Sequence, residues 1–260
     1  MLEDDFTYVL RKALMGHALA PAEAARRAGL PETDVLAFLR GTFSAGTARG
    51  IALVLGLNPA AFAGHAIYQP RPLAVSGIER LDLPFGGEQV NAWLVREGDL
   101  IVLFDAGYET ADLMRALETG CGRLPDRVFI THAHHDHVGA LPRLLEAGLP
   151  VHAAGISGTI SMKPGDTVFC GPLGIRACDL SGHAMPALGF LIEGLSKPVL
   201  VTGDALFAGS MGGCGSPEIY RHALGRLREV LGPLPDDTVL LPGHGPATTL
   251  GEERVSNPFL

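Results

Sequence analysis

The sequence predicts an α+β protein in which a small all-α domain precedes a larger domain of strands and helices. The first part, residues 1–68, is rich in Ala, Leu and Arg and shows the 3.6-residue periodicity of amphipathic helices. Residues 69–76 contain closely spaced prolines, which restrict the backbone to extended conformations and predict a linker. Residues 77–260 contain short apolar runs bounded by glycine, as is typical of buried strands.

Composition limits the classes of protein that this chain can represent. With 260 residues and 47% hydrophobic residues, the chain is long enough to bury a sizeable core. The formal net charge of −8 argues against binding to a phosphate backbone as the main role. The four cysteines include no C-x-x-C pair, so we expect reduced thiols rather than a disulfide framework.

The N-terminus and the apolar segments predict a soluble, cytoplasmic protein. The first five residues are acidic and lack the basic region of a signal peptide. The most apolar helical stretch, residues 51–55, is too short to span a bilayer. We therefore expect no membrane partner.

The N-terminal part is predicted to contain four or five short helices. Phe6, Val9, Leu10 and Leu14 would lie on one face of the first helix. Prolines mark helix starts and glycines mark helix ends, and an asparagine would cap the fifth helix. These markers are Pro21, Gly29, Pro31, Gly41, Gly56 and Asn58.

Two segments of this part, residues 24–30 and 33–40, resemble the second helix and the recognition helix of phage-repressor-like helix-turn-helix domains. However, Glu32 and Asp34 stand where base-contacting residues are expected. Residues 1–66 carry six Lys/Arg and six Asp/Glu, so this part is neutral and has little electrostatic attraction for DNA. The interpretation that we prefer is a helical bundle used for packing or for homodimerisation, and we expect no nucleic-acid partner.

In the second part, apolar runs predict strands and amphipathic stretches predict helices. Residues 90–95 alternate around Trp93, and residues 100–104 form a continuous apolar run that is typical of a strand buried on both faces. Further strands are predicted at 128–130, 174–181, 199–201 and 239–241, and helices at about 109–119, 139–147 and 218–231.

The run Thr131-His132-Ala133-His134-His135-Asp136-His137 follows one of these strands and contains the pattern H-x-H-x-D-H. Imidazole nitrogens and carboxylate oxygens are ordinary ligands of zinc and similar divalent ions. Three further strands each lead to one potential ligand beside glycine, which lets the backbone approach a site closely. These ligands are His183, Asp204 and His244.

The order of these residues, H-x-H-x-D-H followed by His, Asp and His, resembles the metallo-β-lactamase-fold superfamily over about residues 77–260. The resemblance implies an αββα sandwich with a metal site at one edge between the sheets. It also implies that one metal is held by His132, His134 and His183, the second by Asp136, His137 and His244, and that Asp204 bridges them. Asp105, in Phe104-Asp105-Ala106-Gly107, would not bind a metal itself but would support the side chains that do.

A site of this kind implies hydrolysis. Two divalent ions, zinc with iron or manganese as alternatives, can share a hydroxide that is a nucleophile at neutral pH and can polarise a substrate carbonyl. Asp136 and His183 are the predicted catalytic residues, with Asp136 orienting the hydroxide. We expect His135 to be a rim group, Cys214 to be a packing residue, and His17, His65, His152 and His222 to be structural.

Several segments are similar to the short bacterial glyoxalase II-like branch, whose members resemble hydroxyacylglutathione hydrolases. These are Leu81-Asp82-Leu83-Pro84-Phe85, Val90-Asn91-Ala92-Trp93-Leu94-Val95 and the stretch from Pro242 to Leu260. The resemblance implies an enzyme that hydrolyses a small-molecule thioester substrate.

Three departures from the pattern of this branch suggest a substrate less acidic than glutathione conjugates. The loop at 209–214 lacks the branch's arginine, Met185 stands in the motif after His183, and the chain leaves no room for a glutathione-binding helical domain after Leu260.

Two other functions remain open from the sequence. His132, His183 and Asp204 could hold a single iron, as in persulfide dioxygenases of the same superfamily. The chain could also be a metal-binding regulator whose helix-turn-helix module binds DNA. Lactone, β-lactam and phosphodiester hydrolysis are further reactions that the resemblance allows.

Overall fold

The structure is a computed structural model that describes residues 1–73 and 75–260. Residue 74, in the predicted linker, lies outside the described residues. The N-terminal part forms five short helices and a single 3₁₀ turn at His65–Ile67. The helices are α1 (Phe6–Gly16), α2 (Pro21–Ala28), α3 (Glu32–Leu39), α4 (Ala45–Leu55) and α5 (Pro59–Gly64).

The predicted start and stop signals act at the ends of these helices. Pro21 opens α2, and Gly29 ends it in the left-handed conformation that glycine adopts without strain. The Asn58 side chain accepts hydrogen bonds from the amides of Ala60 and Ala61 and so caps α5. Asp5 caps α1, because its carboxylate accepts hydrogen bonds from the amides of Thr7 and Tyr8 in the first turn.

The second part contains twelve strands and five helices among the described residues. They are β1 (Ile78–Phe85), β2 (Glu88–Glu97), β3 (Leu100–Phe104), α6 (Thr110–Cys121), β4 (Arg127–Phe129), α7 (His135–Val138), α8 (Leu141–Glu146), β5 (Val151–Ala153), β6 (Ile160–Ser161), β7 (Thr167–Cys170), β8 (Leu173–Asp179), β9 (Leu188–Glu193), β10 (Val199–Gly203), α9 (Pro217–Leu231), β11 (Val239–Pro242), β12 (Thr248–Thr249) and α10 (Leu250–Ser256).

The strands form two six-stranded sheets, which confirms the predicted α+β fold. Sheet A has the order β1-β2-β3-β4-β5-β6, and sheet B has the order β12-β11-β10-β9-β8-β7. Strands β3 and β4 pair in parallel in sheet A, and β10 and β11 pair in parallel in sheet B. The carboxyl ends of parallel neighbours open at the same edge, where binding residues can meet.

Three apolar clusters define an αββα sandwich. One cluster lies between the sheets and joins Phe104 and Phe129 of sheet A to Phe190 of sheet B. A second joins the outer face of sheet A to α6 and α8, for example through Leu113. The third joins the outer face of sheet B to α9 and α10.

The N-terminal helices belong to this third cluster. Val9, Leu10 and Phe38 are fully buried in the same apolar cluster as Tyr220 and Leu227 of α9. Gly16 in α1 lies so close to the Tyr220 ring that an added Cβ would be 2.4 Å from it. The helical part therefore packs directly on the outer helix layer behind sheet B.

Residues 90–95, the stretch around Trp93 for which the sequence predicts a strand, lie in β2 and are all buried. The polar member of this stretch, Asn91, is satisfied inside the protein because its side-chain amide donates to the carbonyls of Pro242 and Gly245. The Trp93 indole also donates to the Pro242 carbonyl. These three hydrogen bonds join β2 of sheet A to the end of β11 and to the residues just after it.

Within the part of the chain that the structure describes, no helix has the length and apolar character needed to cross a bilayer.

Candidate metal centre

The predicted ligands follow the ends of strands in both sheets and lie together in one place. In sheet A, His132 and His134 follow β4, and the short helix α7 carries Asp136 and His137. In sheet B, the ligands follow the ends of three strands. His183 comes after β8, Asp204 directly follows β10, and His244 follows β11.

Three histidines form the first cluster of potential ligands. Nδ1 of His134 lies 3.1 Å from Nε2 of His132 and 3.1 Å from Nε2 of His183. Two ligands of a tetrahedral zinc ion, each at roughly 2.0–2.1 Å from it, are about 3.3 Å apart. The three nitrogens thus have the spacing that one divalent ion requires.

Asp136, His137 and His244 form the second cluster. Oδ2 of Asp136 lies 3.2 Å from Nε2 of His244 and 3.6 Å from Nε2 of His137. These donor atoms face the first cluster, with the rings of His132 and His137 only 4.2 Å apart between centroids.

The Asp204 carboxylate lies between the two clusters. Its Oδ2 is 3.5 Å from Nε2 of His183 in the first cluster and 3.5 Å from Nε2 of His244 in the second. Its Oδ1 is 3.3 Å from Nε2 of His137. A carboxylate in this position can contribute an oxygen to either set.

Hydrogen bonds from the protein fix the orientation of four of these imidazoles. Nδ1 of His183 donates to the Gly213 carbonyl at 3.0 Å, and Nδ1 of His244 donates to the Gln89 carbonyl at 2.9 Å. Nδ1 of His132 is 3.0 Å from the Thr131 hydroxyl oxygen. In each ring Nε2 is then the nitrogen that faces the cluster, as is typical of metal-binding histidines.

The fourth orienting bond comes from Asp105, the predicted supporting residue. Its Oδ2 accepts a 2.9 Å hydrogen bond from Nδ1 of His137. Its Oδ1 accepts from the Thr131 backbone amide at 2.8 Å, and the Thr131 hydroxyl donates to Oδ2 at 2.9 Å. Asp105 therefore links the end of β3 to the ligand-bearing segment after β4.

Close approach of the backbone explains the glycines beside these ligands. A Cβ on Gly243 would lie 2.1 Å from Oδ1 of Asp204 and 2.7 Å from Cε1 of His137. A Cβ on Gly212 would lie 2.0 Å from the Asp204 carbonyl oxygen. Neither position has space for a larger residue.

The electrostatics of the centre favour a positively charged occupant. Burial lowers the pKa of His137, but the carboxylates of Asp204 and Asp105 outweigh this effect and raise it to about 10. Burial likewise lowers the pKa of His244, yet hydrogen bonds to Asp136 and Asp204 raise it to about 11. A cationic species, whether a proton or a metal ion, is thus stabilised beside these carboxylates.

Two other histidines of the centre, His132 and His183, are held in the neutral form that binds metals. Burial, together with the charge of the neighbouring His137, lowers the pKa of His132 to about 3. Burial also lowers the pKa of His183. Both rings therefore keep an available lone pair at neutral pH.

Two buried polar atoms at the middle of the centre lack a hydrogen-bond partner. They are Nε2 of His137 and Oδ1 of Asp204, and both belong to the predicted ligand set. Buried polar groups without partners are rare in proteins and require an explanation. Coordination of a divalent ion by this set of nitrogen and oxygen donors supplies one, so the residues present fit a metal centre.

The structure leaves the other histidines outside both clusters. His135 is exposed, and His222 is exposed on α9. Nε2 of His17 bonds the Leu55 carbonyl, Nε2 of His65 bonds the Gly209 carbonyl, and the His152 ring stacks on Phe129. These contacts agree with the structural roles that the sequence predicted.

Cys214 also has a packing role, because its side chain is buried in the apolar cluster behind sheet B. Burial raises the pKa of its thiol to about 11. Sequence reasoning missed the contributions of Thr131 and of the Gly213 and Gln89 carbonyls. A backbone carbonyl leaves no signal in a sequence, whereas Thr131 could have been noticed as a polar residue at a buried strand end.

An aromatic rim and a polar cleft lie beside the second cluster. The rings of Phe85 and Tyr108 are 5.2 Å apart, and Phe85 is 6.4 Å from the His244 ring. A cleft of about 610 Å³ adjoins the His244 loop and is lined in part by Gln89 and Gly245. Gly245 follows His244 in the chain, so one wall of the cleft is next to a predicted ligand.

Comparison with known proteins finds several relatives. A family model described as the metallo-beta-lactamase superfamily matches residues 85–168. The probable metallo-hydrolase YqgX of Bacillus subtilis is 28% identical over 207 residues, which are 68% of this chain and 95% of the relative. Hydroxyacylglutathione hydrolase GloC of Haemophilus influenzae is 28% identical over 206 residues, 68% of this chain and 96% of the relative. Among solved structures, TTHA1623 in a di-iron-bound form is 32% identical, with a TM-score of 0.57, and the match covers 69% of this chain and 99% of that one.

Proposed function

This chain belongs to the metallo-β-lactamase superfamily, and from that premise we propose that it is a dinuclear metal-dependent hydrolase that acts on thioesters. The observation that carries the proposal is the position of Asp204 between two ligand clusters, 3.5 Å from His183 in one and 3.5 Å from His244 in the other. A shared carboxylate of this kind suits two ions rather than one.

The ligand roles follow from the two clusters. His132, His134 and His183 would hold one ion, while Asp136, His137 and His244 would hold the second. Asp204 would contribute an oxygen to both. When bound, the divalent ions would supply a hydroxide nucleophile at neutral pH and a Lewis acid for the substrate carbonyl.

Asp136 has a further role in the proposed reaction. Burial raises the pKa of its carboxyl, but the hydrogen bond from His244 and the charge of His137 lower it below its usual value. Asp136 is therefore anionic at neutral pH, and its carboxylate can orient the attacking water and accept a proton from it. His183 is partly exposed and belongs to the first cluster, with His132 and His134. By holding the ion of that cluster, it would help to position the substrate carbonyl.

The choice of thioesters rests on the relatives. The Haemophilus influenzae relative named above is a hydroxyacylglutathione hydrolase, and the match covers 96% of it. Zinc is the proposed metal because the centre combines imidazoles with carboxylates. Iron is the main alternative, since one relative was solved in a di-iron-bound form.

The cleft beside His244 supports a substrate without carboxylates. Its walls include three acidic residues, Glu3, Asp82 and Glu88. Its arginine, Arg80, is bound to Asp82 at 2.7 Å and donates to the Gly245 carbonyl at 3.1 Å, so its charge is already neutralised. A negatively charged leaving thiol such as glutathione would be repelled here, whereas a neutral thiol would not.

A substrate panel with metal analysis tests the proposal. We expect two zinc ions per chain and hydrolysis of acyl thioesters, with a higher kcat/KM for a neutral thiol ester than for the glutathione ester of the same acyl group. His137→Ala should abolish activity and reduce the metal content. His135→Ala, a neighbouring histidine outside both clusters, is the matched control and should keep both.

Other outcomes of the same panel would contradict the proposal. One iron per chain together with oxygen consumption on a persulfide would identify a dioxygenase instead. Hydrolysis of lactones or β-lactams without thioesterase activity would retain the metal centre but reject the substrate class. Preference for the glutathione ester would reject the argument from the acidic cleft.

A further inference from the structure

The loop at residues 209–214, which follows β10 and is called here the 209–214 loop, is bonded to the N-terminal helical part. We propose that Asp4 and Lys12 of that part are positioning residues of the metal centre, because they hold the 209–214 loop against His183 and Asp204. The inference rests on the metal centre of the proposed function, and it gives the N-terminal part a role in that centre.

The backbone of the 209–214 loop touches two of the predicted ligands. The Gly213 carbonyl accepts the 3.0 Å hydrogen bond that orients His183. Gly212 is packed so closely that an added Cβ would lie 2.0 Å from the Asp204 carbonyl oxygen and 2.8 Å from Cβ of His183. A small shift of this loop must therefore move at least one ligand.

Asp4 and Lys12 bond the middle of the same loop. The Ser210 hydroxyl donates to Oδ2 of Asp4 at 2.5 Å. The Lys12 ammonium forms an ion pair with Asp4 and donates to the Met211 carbonyl at 2.9 Å. It also lies 5.2 Å from the centre of the Phe207 ring, at the start of the loop region.

These contacts are buried at Asp4 and Ser210 and partly buried at Lys12, which makes them sensitive to the loss of either partner. Asp4 is 5% exposed and Ser210 is fully buried. Removing the Lys12 ammonium would leave the Asp4 charge and the Met211 carbonyl without their partner inside the protein. The loop would then have to move toward other donors or toward water.

Within residues 1–73 and 75–260, the other side-chain hydrogen bonds to the loop from outside it are at its first end, at Gly209 and Ser210. The Gly209 amide donates to Oε2 of Glu253 at 2.8 Å, and the Gly209 carbonyl bonds Nε2 of His65 at 3.0 Å. Asn257 donates to the Ser210 carbonyl at 3.0 Å. Lys12 instead bonds Met211, which is the residue next to Gly212 and Gly213. Of the side chains that bond the loop, Lys12 therefore has the most direct effect on the position of His183.

The packing of α1 makes it a rigid base for these bonds. Val9 and Leu10 lie in the turn of α1 that precedes Lys12 and are fully buried in the apolar cluster that includes Tyr220 of α9. The Lys12 side chain therefore leaves a helix that is fixed on the outer face of sheet B. A module used for DNA binding would need none of these contacts with the 209–214 loop.

The test compares Lys12→Met with a control variant that removes a similar cationic side chain at a position away from the metal centre. Arg96 on β2 is the matched residue, because it also bonds one carboxylate, Glu79 at 2.6 Å, and one backbone carbonyl, Gly120 at 2.8 Å. Metal affinity of each full-length variant is measured by competition with a chromophoric chelator, alongside metal stoichiometry and the free energy of unfolding. None of these measurements needs a substrate.

Lys12→Met should weaken binding of one of the two ions by up to about 10–100-fold, the range for loss of an outer partner of a metal ligand, because it would displace the Gly213 carbonyl that orients His183. Lys12→Arg should restore it, since the charge and donors remain. Arg96→Met should lower stability without changing metal affinity. Equal affinities in wild type and Lys12→Met, or an equal loss in Arg96→Met, would overturn the inference.

Ser210→Ala decides the case if Lys12→Met does not fold, because it removes one hydrogen bond to Asp4 and leaves the ion pair in place. A weaker affinity for one ion would support the inference, and wild-type affinity would overturn it. If wild-type protein binds two ions but cleaves no thioester, the proposed function fails while this inference stands. If wild-type protein binds no ion, the inference fails as well.

Discussion

Nδ1 of His137 donates a 2.9 Å hydrogen bond to Oδ2 of Asp105, and both side chains are buried. Asp105 has a φ of +62°, in the left-handed region that residues other than glycine seldom adopt. Such a conformation costs on the order of 1 kcal/mol and persists where the surroundings require it. Here it directs the carboxylate toward both His137 and the Thr131 amide.

Replacement of Asp105 by asparagine should weaken metal binding by about 10–100-fold with little loss of stability. Asparagine tolerates the left-handed backbone, so the substitution removes the charge without adding strain. Chelator competition measures the affinity. Asp126→Asn is the control, because the Asp126 carboxylate also accepts a backbone amide, that of Ile101 at 2.8 Å, but lies outside the metal centre. Unchanged affinity in Asp105→Asn would show that this carboxylate does not support His137.

Gly243→Ala should abolish binding of at least one metal ion. Its new Cβ would lie 2.1 Å from Oδ1 of Asp204 and 2.7 Å from His137, so both ligands would have to move. Gly225→Ala in α9 makes the same chemical change where nothing lies within 4 Å. It should stabilise the protein by roughly 0.5–1 kcal/mol, since alanine favours helix interiors. Metal content by elemental analysis distinguishes the two variants, and full occupancy in Gly243→Ala would contradict the geometry.

The residues that meet at the centre were accessible from the sequence for a physical reason. Ionisable side chains directly after apolar strands are costly unless they share a partner, and His183, Asp204 and His244 each stand beside glycine at such a position. The structure brings these residues together with the histidine run. Their roles as ligands remain a proposal.

Other features could not be read from residue types. The carbonyls of Gly213 and Gln89, which orient His183 and His244, depend on the path of the backbone and not on side-chain chemistry. The burial of Asn91 depends on two backbone acceptors that are distant in the chain, the carbonyls of Pro242 at the end of β11 and of Gly245 just after it. The contact of Lys12 with Met211 joins residues 199 positions apart, beyond the reach of any local pattern.

The cap of α1 should contribute a pH-dependent part of the stability. Burial raises the pKa of Asp5, but hydrogen bonds from the Thr7 hydroxyl and from the amides of Tyr8 and Thr7 outweigh it and hold that pKa below its usual range. A carboxyl whose folded pKa is lowered stabilises the protein above its unfolded pKa, and this stability is lost as the pH falls through the folded pKa. Asp5→Ala should therefore cost about 1 kcal/mol at neutral pH and less at acid pH.

Asn58→Ala is the control for this effect, since Asn58 caps α5 with an uncharged side chain that accepts from Ala60 and Ala61. Its cost should be similar in size and should not change with pH. Urea unfolding of both variants and wild type at several pH values gives the two differences. A cost of Asp5→Ala that stays constant on acidification would show that the ionised form of Asp5 is not needed for the cap.

The N-terminal helices should not bind duplex DNA. Arg26 and Arg27 both donate to Glu23, and the first turn of α3 carries Glu32 and Asp34, so the face expected to meet DNA offers little free positive charge. Fluorescence anisotropy of a labelled duplex with the full-length protein, at about 50 mM and about 200 mM salt, measures this attraction. We expect no binding by wild type at either salt concentration, whereas the double variant Glu32→Lys, Asp34→Lys should bind at low salt only. Salt-dependent binding by wild type would instead support a regulator, because phosphate contacts would then exist despite the acidic start of α3.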